Sequence, residues 1–184
     1  FLATINREDF EAARAFGTIR ADRVRYIPGI GVDVGAYHST SPADTRRVRR
    51  ELDAPEDAVL ITMIAEFTPN KRHNLALDAL SHVQDSRVIL TLVGNGPLED
   101  AVREDAARRD LTVCVRFAGY RRDLAAVLPA SDVLLLCAER EGLNRSVLES
   151  MAAGIPVIGT QTRGIADAIS DAEGWIVPKD DPTA

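Results

Sequence analysis

The chain has 184 residues, of which 46% are hydrophobic and 27% charged, enough for one large domain, or one domain plus a piece of another. A net charge of −6 and an isoelectric point near 5.1 argue against nucleic acid as the main partner, because phosphate binding needs a basic face. No apolar run reaches the length of a membrane span, and the first residues do not read as a signal peptide.

Phe1-Leu2-Ala3-Thr4 opens the chain without a Met, and the chain is read as a fragment of a longer one. Asn6 followed by Asp9 predicts a helix start, with Phe10, Ala13 and Phe16 as an apolar stripe before Gly17. Val24 to Ile27 is expected to be a strand, stopped by Pro28-Gly29. Gly31 to Pro42, rich in Gly, Ser and Pro, has the composition of a linker, and a charged helix follows from Ala43 to Leu52.

From Ala58 the pattern becomes regular. Leu60 to Ile64 is an apolar strand, Leu75 to Val83 a helix, Val88 to Val93 a strand and Leu98 to Arg109 a helix. Val113 to Phe117, Leu124 to Leu128 and Val133 to Cys137 continue the alternation, and then come a helix at Arg145 to Ala153 and strands at Val157-Ile158 and Trp175 to Val177. Apolar strands alternating with helices imply an α/β domain whose parallel sheet is covered on both faces. In such sheets ligands bind outside the carboxyl ends of the strands. Cys114 and Cys137 fall within predicted strands and read as buried thiols; three scattered histidines offer no metal-ligand spacing.

Each carboxyl end carries a feature with two readings. Lys71 and Arg72 precede a helix start, where free N–H groups favour a phosphate, yet a Lys-Arg pair is commonly a solvated loop. Gly94 and Gly96 permit close backbone approach to a ligand, or simply make a turn; Glu99 replaces the third glycine of a dinucleotide fingerprint. Tyr120 or Arg121 could lie against a base, or Tyr120 could pack on its own domain. Glu141 sits in a loop before a helix that Asn144 is placed to cap, and Gly142 lets the backbone approach a ligand. On that helix Val147, Leu148, Met151 and Ala152 form the buried face, with Glu149 beside it. Taken singly, Glu141 reads as an acid favoured by the helix dipole and Glu149 as an i,i+4 partner of Arg145.

Together, Glu141-Gly142-Leu143 through Leu148-Glu149 and Met151 to Ile158 resemble the E-G-[FL]-x-x-x-x-x-E motif of retaining GT-B glycosyltransferases of family four. Pro69-x-Lys71, Val93 to Leu98, Phe117-x-Gly119 and Ser131-Asp132-Val133 agree in order, so the resemblance covers most of Ala58 to Pro178. It implies a Rossmann-like three-layer αβα domain with about six parallel strands, one half of a GT-B fold. Residues 1–42 would be the tail of the other half and the linker, and 43–184 the domain that binds a nucleotide-sugar donor. Glu141 would then hold hydroxyls of the donor sugar, Glu149 the ribose diol, and Lys71 the diphosphate. Backbone N–H groups around Leu143, Asn144 and Arg145 would hold phosphate oxygens.

The resemblance implies no metal or other cofactor, a UDP-sugar as donor, and a saccharide or lipid-linked acceptor bound by the missing amino-terminal half. The setting would be cytoplasmic, at the inner membrane face. In one place the sequence departs from the family: Glu66 stands where most members carry Arg. Capsule and exopolysaccharide transferases with a Gly-Glu-Leu turn and Asn-Lys-x-His are similar to Ala65-Glu66-Phe67 and Asn70 to His73; Thr4 to Phe10 and Tyr26 to Asp33 also look like that subset. The missing positive charge is expected from Arg145, with Arg72 as the second source. The alternatives are a donor-binding pseudoenzyme, which Glu66 encourages, and a UDP-sugar 2-epimerase-like domain. A nicotinamide-dependent oxidoreductase is disfavoured by the broken glycine fingerprint.

Overall fold

The computed structural model describes the chain except for Pro28, Ile30, Ser39 and Thr40, so the expected strand stop at Pro28 and part of the expected linker lie outside the described residues. Leu2–Thr4 (β1) and Val24–Tyr26 (β2) pair in parallel as a separate two-stranded sheet, joined through helix Arg7–Ala15 (α1). Asn6 caps α1, its side chain accepting the Asp9 N–H at 2.8 Å. The stripe expected on α1 is not a core face: no α1 residue is fully buried and Phe16 is 77% exposed. The helix lies at the rim, against β2 and a late helix, and there Phe10 meets the Tyr26 ring.

The expected linker also holds structure. Gly35–His38 forms one helical turn (α2), and Pro42 opens the helix Pro42–Glu51 (α3), capped by Ser41.

The main sheet follows. Its elements are Val59–Ile64 (β3), His73–Ser81 (α4), Val88–Val93 (β4), Glu99–Arg108 (α5), Val115–Gly119 (β5), Leu124–Val127 (α6), Val133–Leu136 (β6), Arg145–Ala152 (α7), Val157–Thr160 (β7), Arg163–Ala168 (α8) and Gly174–Val177 (β8). All six strands are parallel, in the order β5-β4-β3-β6-β7-β8. Alternate side chains feed opposite layers. Met63, Leu90 and Leu92 pack with Leu77, Leu80 and Val102 of α4 and α5; Leu60, Ile89 and Val93 pack with Val48 and Val127 of α3 and α6. Leu134, Leu136 and Val157 meet Val147 and Ile165 of α7 and α8. This is the expected three-layer α/β architecture with its six-stranded parallel sheet.

Differences from expectation have local causes. β5 begins at Val115, not Val113, because a turn closed by Cys114 and Val115 N–H on the Leu111 carbonyl leaves Val113 77% exposed. Cys114 therefore precedes the strand, Cys137 follows β6, and both thiols are free. Pro129 turns the end of α6 into a 3-10 turn over Leu128–Ala130. Helix α8 was not anticipated. Among the described residues no helix is long and apolar enough to cross a membrane.

Candidate functional site

β3 is paired on one side with β4 and on the other with β6, so the strand order reverses there and the loops leaving β3 and β6 open on a common crevice. Asn70 laces those loops together. Its amide donates to the Arg140 carbonyl at 3.0 Å, its side-chain oxygen accepts the Arg140 N–H at 3.1 Å, and its carbonyl accepts the Glu139 N–H at 2.8 Å. The 3-10 turn Pro69–Lys71 and Arg72, which has a left-handed φ of 50°, then deliver the chain to α4.

This clasp brings Lys71 onto Glu141, whose charged groups pair directly, each mostly buried. The same Glu141 oxygen accepts the Asn144 amide at 3.0 Å. Asn144 in turn caps α7, accepting the Ser146 N–H at 2.9 Å and its hydroxyl at 2.5 Å. One turn along α7, Glu149 is only 4% exposed and accepts the Arg145 Nε–H at 2.8 Å. Tyr37 of α2 lines the same cavity as Glu149. Burial first, and the Glu149 carboxylate second, push the Tyr37 phenol up to about 12.

Glu141, Leu143, Asn144, Arg145 and Glu149 line one open cavity of about 570 Å³, together with Tyr37, Tyr120 and Arg121. The backbone N–H groups of Leu143, Asn144 and Arg145 meet no acceptor among the described residues. Two carboxylates, Arg145 and free amides therefore face one space, and Lys71 is joined to it through its pairing with Glu141.

Four predicted residues stand elsewhere. Arg72 points away, bonded to the Lys179 carbonyl and paired with Glu139 and Asp180, so its charge is already neutralised. Gly94 and Gly96, at φ of 147° and 155°, are needed for packing: a Cβ would lie 2.0 Å from the Ala65 carbonyl oxygen and 2.6 Å from the Phe67 nitrogen. Their close approach is to the neighbouring loop. Gly142 lies behind the acids, where its carbonyl abuts Gly164 of α8 and an added Cβ would come 3.2 Å from the Ile5 side chain.

Of the two residues expected to face a base, Tyr120 is 65% exposed. Arg121 is held by Asp123 and Glu51 at 2.6 and 2.9 Å, and these bonds, Asp123 first, raise its pKa further. Glu66, the departure from the family pattern, is exposed. Buried His73 stacks on Phe67 with ring centroids 4.2 Å apart, and its Nε2 has no partner among the described residues. Burial, then Lys71, lowers its pKa to about 4, so it is neutral near pH 7. Among the described residues no three His, Cys, Asp or Glu side chains gather as a metal cage would require. Tyr37 was missed in sequence, where it was one aromatic in a Gly-rich stretch.

The family model described as "Glycosyl transferases group 1" matches residues 44–184. The putative glycosyltransferase EpsD of Bacillus subtilis (strain 168) is 33% identical over the whole chain, which spans 49% of EpsD. The putative colanic acid biosynthesis glycosyltransferase WcaL of Escherichia coli (strain K12) is 30% identical over 76% of the chain, 37% of WcaL. The chain thus spans half or less of these relatives. The crystal structure of Anabaena Alr3699/HepE in complex with UDP and glucose superposes with a TM-score of 0.88 over 98% of the chain and 50% of HepE, at 22% identity.

Proposed function

Because the chain belongs to the glycosyl transferases group 1 family, we propose that it is the nucleotide-sugar-binding half of a retaining family-four glycosyltransferase. It would be the carboxyl-terminal half of a GT-B enzyme, with residues 1–42 as tail and linker and 43–184 as the donor domain. The observation that carries this reading is the convergence of Glu141 and Glu149, each with its own cation, on one cavity at the sheet's switch point.

A carboxylate binds a sugar diol through two charge-assisted hydrogen bonds, so two acids lining one cavity suit a ligand that carries two sets of hydroxyls. Glu149 takes the ribose and Glu141 the donor sugar. With them come Lys71, paired to Glu141, Arg145, paired to Glu149, and the free N–H groups of Leu143, Asn144 and Arg145. These meet the diphosphate, whose charge rises as the sugar–phosphate bond breaks, so they stabilise the transition state more than the ground state. In this scheme protein cations and amides meet the leaving-group charge, without metal or other cofactor. UDP is the favoured nucleotide, supported by the HepE complex, whose fold this chain shares. The acceptor is a saccharide or lipid-linked saccharide of cell-surface polysaccharide synthesis, bound by the amino-terminal half at the cytoplasmic membrane face.

The test is a melting screen of the chain against UDP, GDP, ADP and their sugars, with Glu141→Gln and Glu149→Gln. One nucleotide family should raise Tm in proportion to log concentration, and both variants should lose most of the shift. No shift with any nucleotide, or full shifts in both variants, would end the reading. A binding-only role has one observation in its favour, Glu66 beside Phe67 where Arg is expected. Transfer by the full-length enzyme would exclude it.

A further inference from the structure

We propose that Asn144 is a positioning residue: its side-chain amide, locked at both ends, fixes which oxygen of Glu141 is presented to the donor sugar. This rests on the reading above. Asn144 is 8% exposed and spans two groups that cannot exchange roles. The Ser146 N–H can only donate, so it takes the amide oxygen, at 2.9 Å; the Glu141 carboxylate can only accept, so it takes the amide nitrogen, at 3.0 Å. Turning the amide over would set donor against donor and acceptor against acceptor. A buried side chain held in this way keeps one orientation.

Asn144 and Lys71 meet the same carboxylate oxygen, Oε2. Two donors occupy both of its lone pairs, while Oε1 has no partner among the described residues. Glu141 lines the cavity, so Oε1 is the acceptor left for the hydroxyls of a sugar. Lys71 alone could not choose between the two oxygens, since an ammonium on a flexible stem is a point charge that attracts either one. The planar amide, tied to the first turn of α7, makes that choice. It also keeps the carboxylate in register with the free N–H groups of Leu143, Asn144 and Arg145, so sugar and phosphate contacts share one geometry.

Asn144→Ser separates aiming from capping, because serine also caps a helix start but is too short to reach Glu141. Titration calorimetry of the chain with UDP, UDP-glucose, UDP-galactose, GDP and GDP-mannose gives the affinity for each nucleotide-sugar relative to its bare diphosphate. For the nucleotide-sugar that binds most tightly, Asn144→Ser should lower that ratio about threefold or more. In a Glu141→Ala background, where no carboxylate remains to be aimed, the same change should move it less than about twofold. A capping role alone would lower Tm and weaken sugar-bearing and bare nucleotides equally; that result, or an equal fall of the ratio in the Glu141→Ala background, overturns the proposal. Asn144→Asp, which keeps the cap and turns the donor into an acceptor facing Glu141, gives the same reading should Asn144→Ser fold poorly. A wild type that binds no nucleotide, or whose ratio ignores Glu141→Ala, sinks the functional reading and this inference with it. One whose ratio falls on Glu141→Ala but not on Asn144→Ser sinks this inference alone.

Discussion

Gly164, in the first turn of α8, presses against the carbonyl of Gly142: an added Cβ would sit 0.9 Å from that oxygen. The Gly164 N–H also donates to the Glu141 carbonyl at 3.2 Å. Helix α8 thus braces the acid-bearing loop from behind, and only a residue without a side chain can stand there.

Gly164→Ala should therefore displace the 141–143 loop. We expect a stability loss of about 1–3 kcal/mol, the usual range for overpacking, together with loss of nucleotide binding. Gly142→Ala meets only the flexible end of Ile5, at 3.2 Å, and should cost far less. Chemical denaturation of the two variants decides; equal losses would contradict the bracing role.

Lys71 and Glu141 form a mostly buried pair, so removing one partner strands the other. Lys71→Met and Glu141→Gln should each destabilise, while the double variant should cost less than their sum, with a coupling of about 1–3 kcal/mol. A double-mutant cycle by urea unfolding measures this. Strict additivity would mean that the pair is not formed in solution.

The two arginines proposed as phosphate partners should separate cleanly. Arg145→Ala should weaken nucleoside-diphosphate binding about tenfold or more and, by stranding the buried Glu149 carboxylate, also lower Tm. Arg72→Ala should lower Tm while leaving that binding nearly unchanged, since Arg72 ties the start of α4 to Lys179 and Asp180. Calorimetry with UDP and GDP checks both.

His73 makes stability pH-dependent. Its folded pKa, near 4, lies below the ordinary histidine value, so the unfolded chain binds the proton first as pH falls. Its neutral form is favourable above about pH 6.5, and stability should drain away between about 6.5 and 4, by a few kcal/mol at most. His73→Phe, which keeps the stack on Phe67, should flatten that part of the pH–Tm curve. An identical slope in the variant would place the titration elsewhere.

The long parallel strands were legible because β3, β4 and β6 are nearly continuous apolar runs, which only a sheet covered on both faces explains. Glu141, Asn144 and Glu149 stood out through the resemblance to a family motif, and they stay near one another in the fold because they flank or sit on one short helix. The rest depends on partners distant in sequence. β2 answers the strand expected from Val24, but β1 is three residues long and exists by pairing with it. Helix α8 has a glycine in its first turn, poor by propensity, because Gly142 demands it. Tyr37 reaches the cavity only when α2 is laid on α7, and Arg72 meets Lys179 and Asp180 only when the 179–180 segment is folded back onto it.

The Asn70 lacing has a practical corollary for anyone recombining related proteins. Three hydrogen bonds from one residue make the loops after β3 and β6 a single mechanical unit, although they are far apart in sequence. A chimera that imports either loop alone would break the stitching and scatter the charges it carries. Donor preference should therefore be inherited only when both loops are exchanged as a matched set.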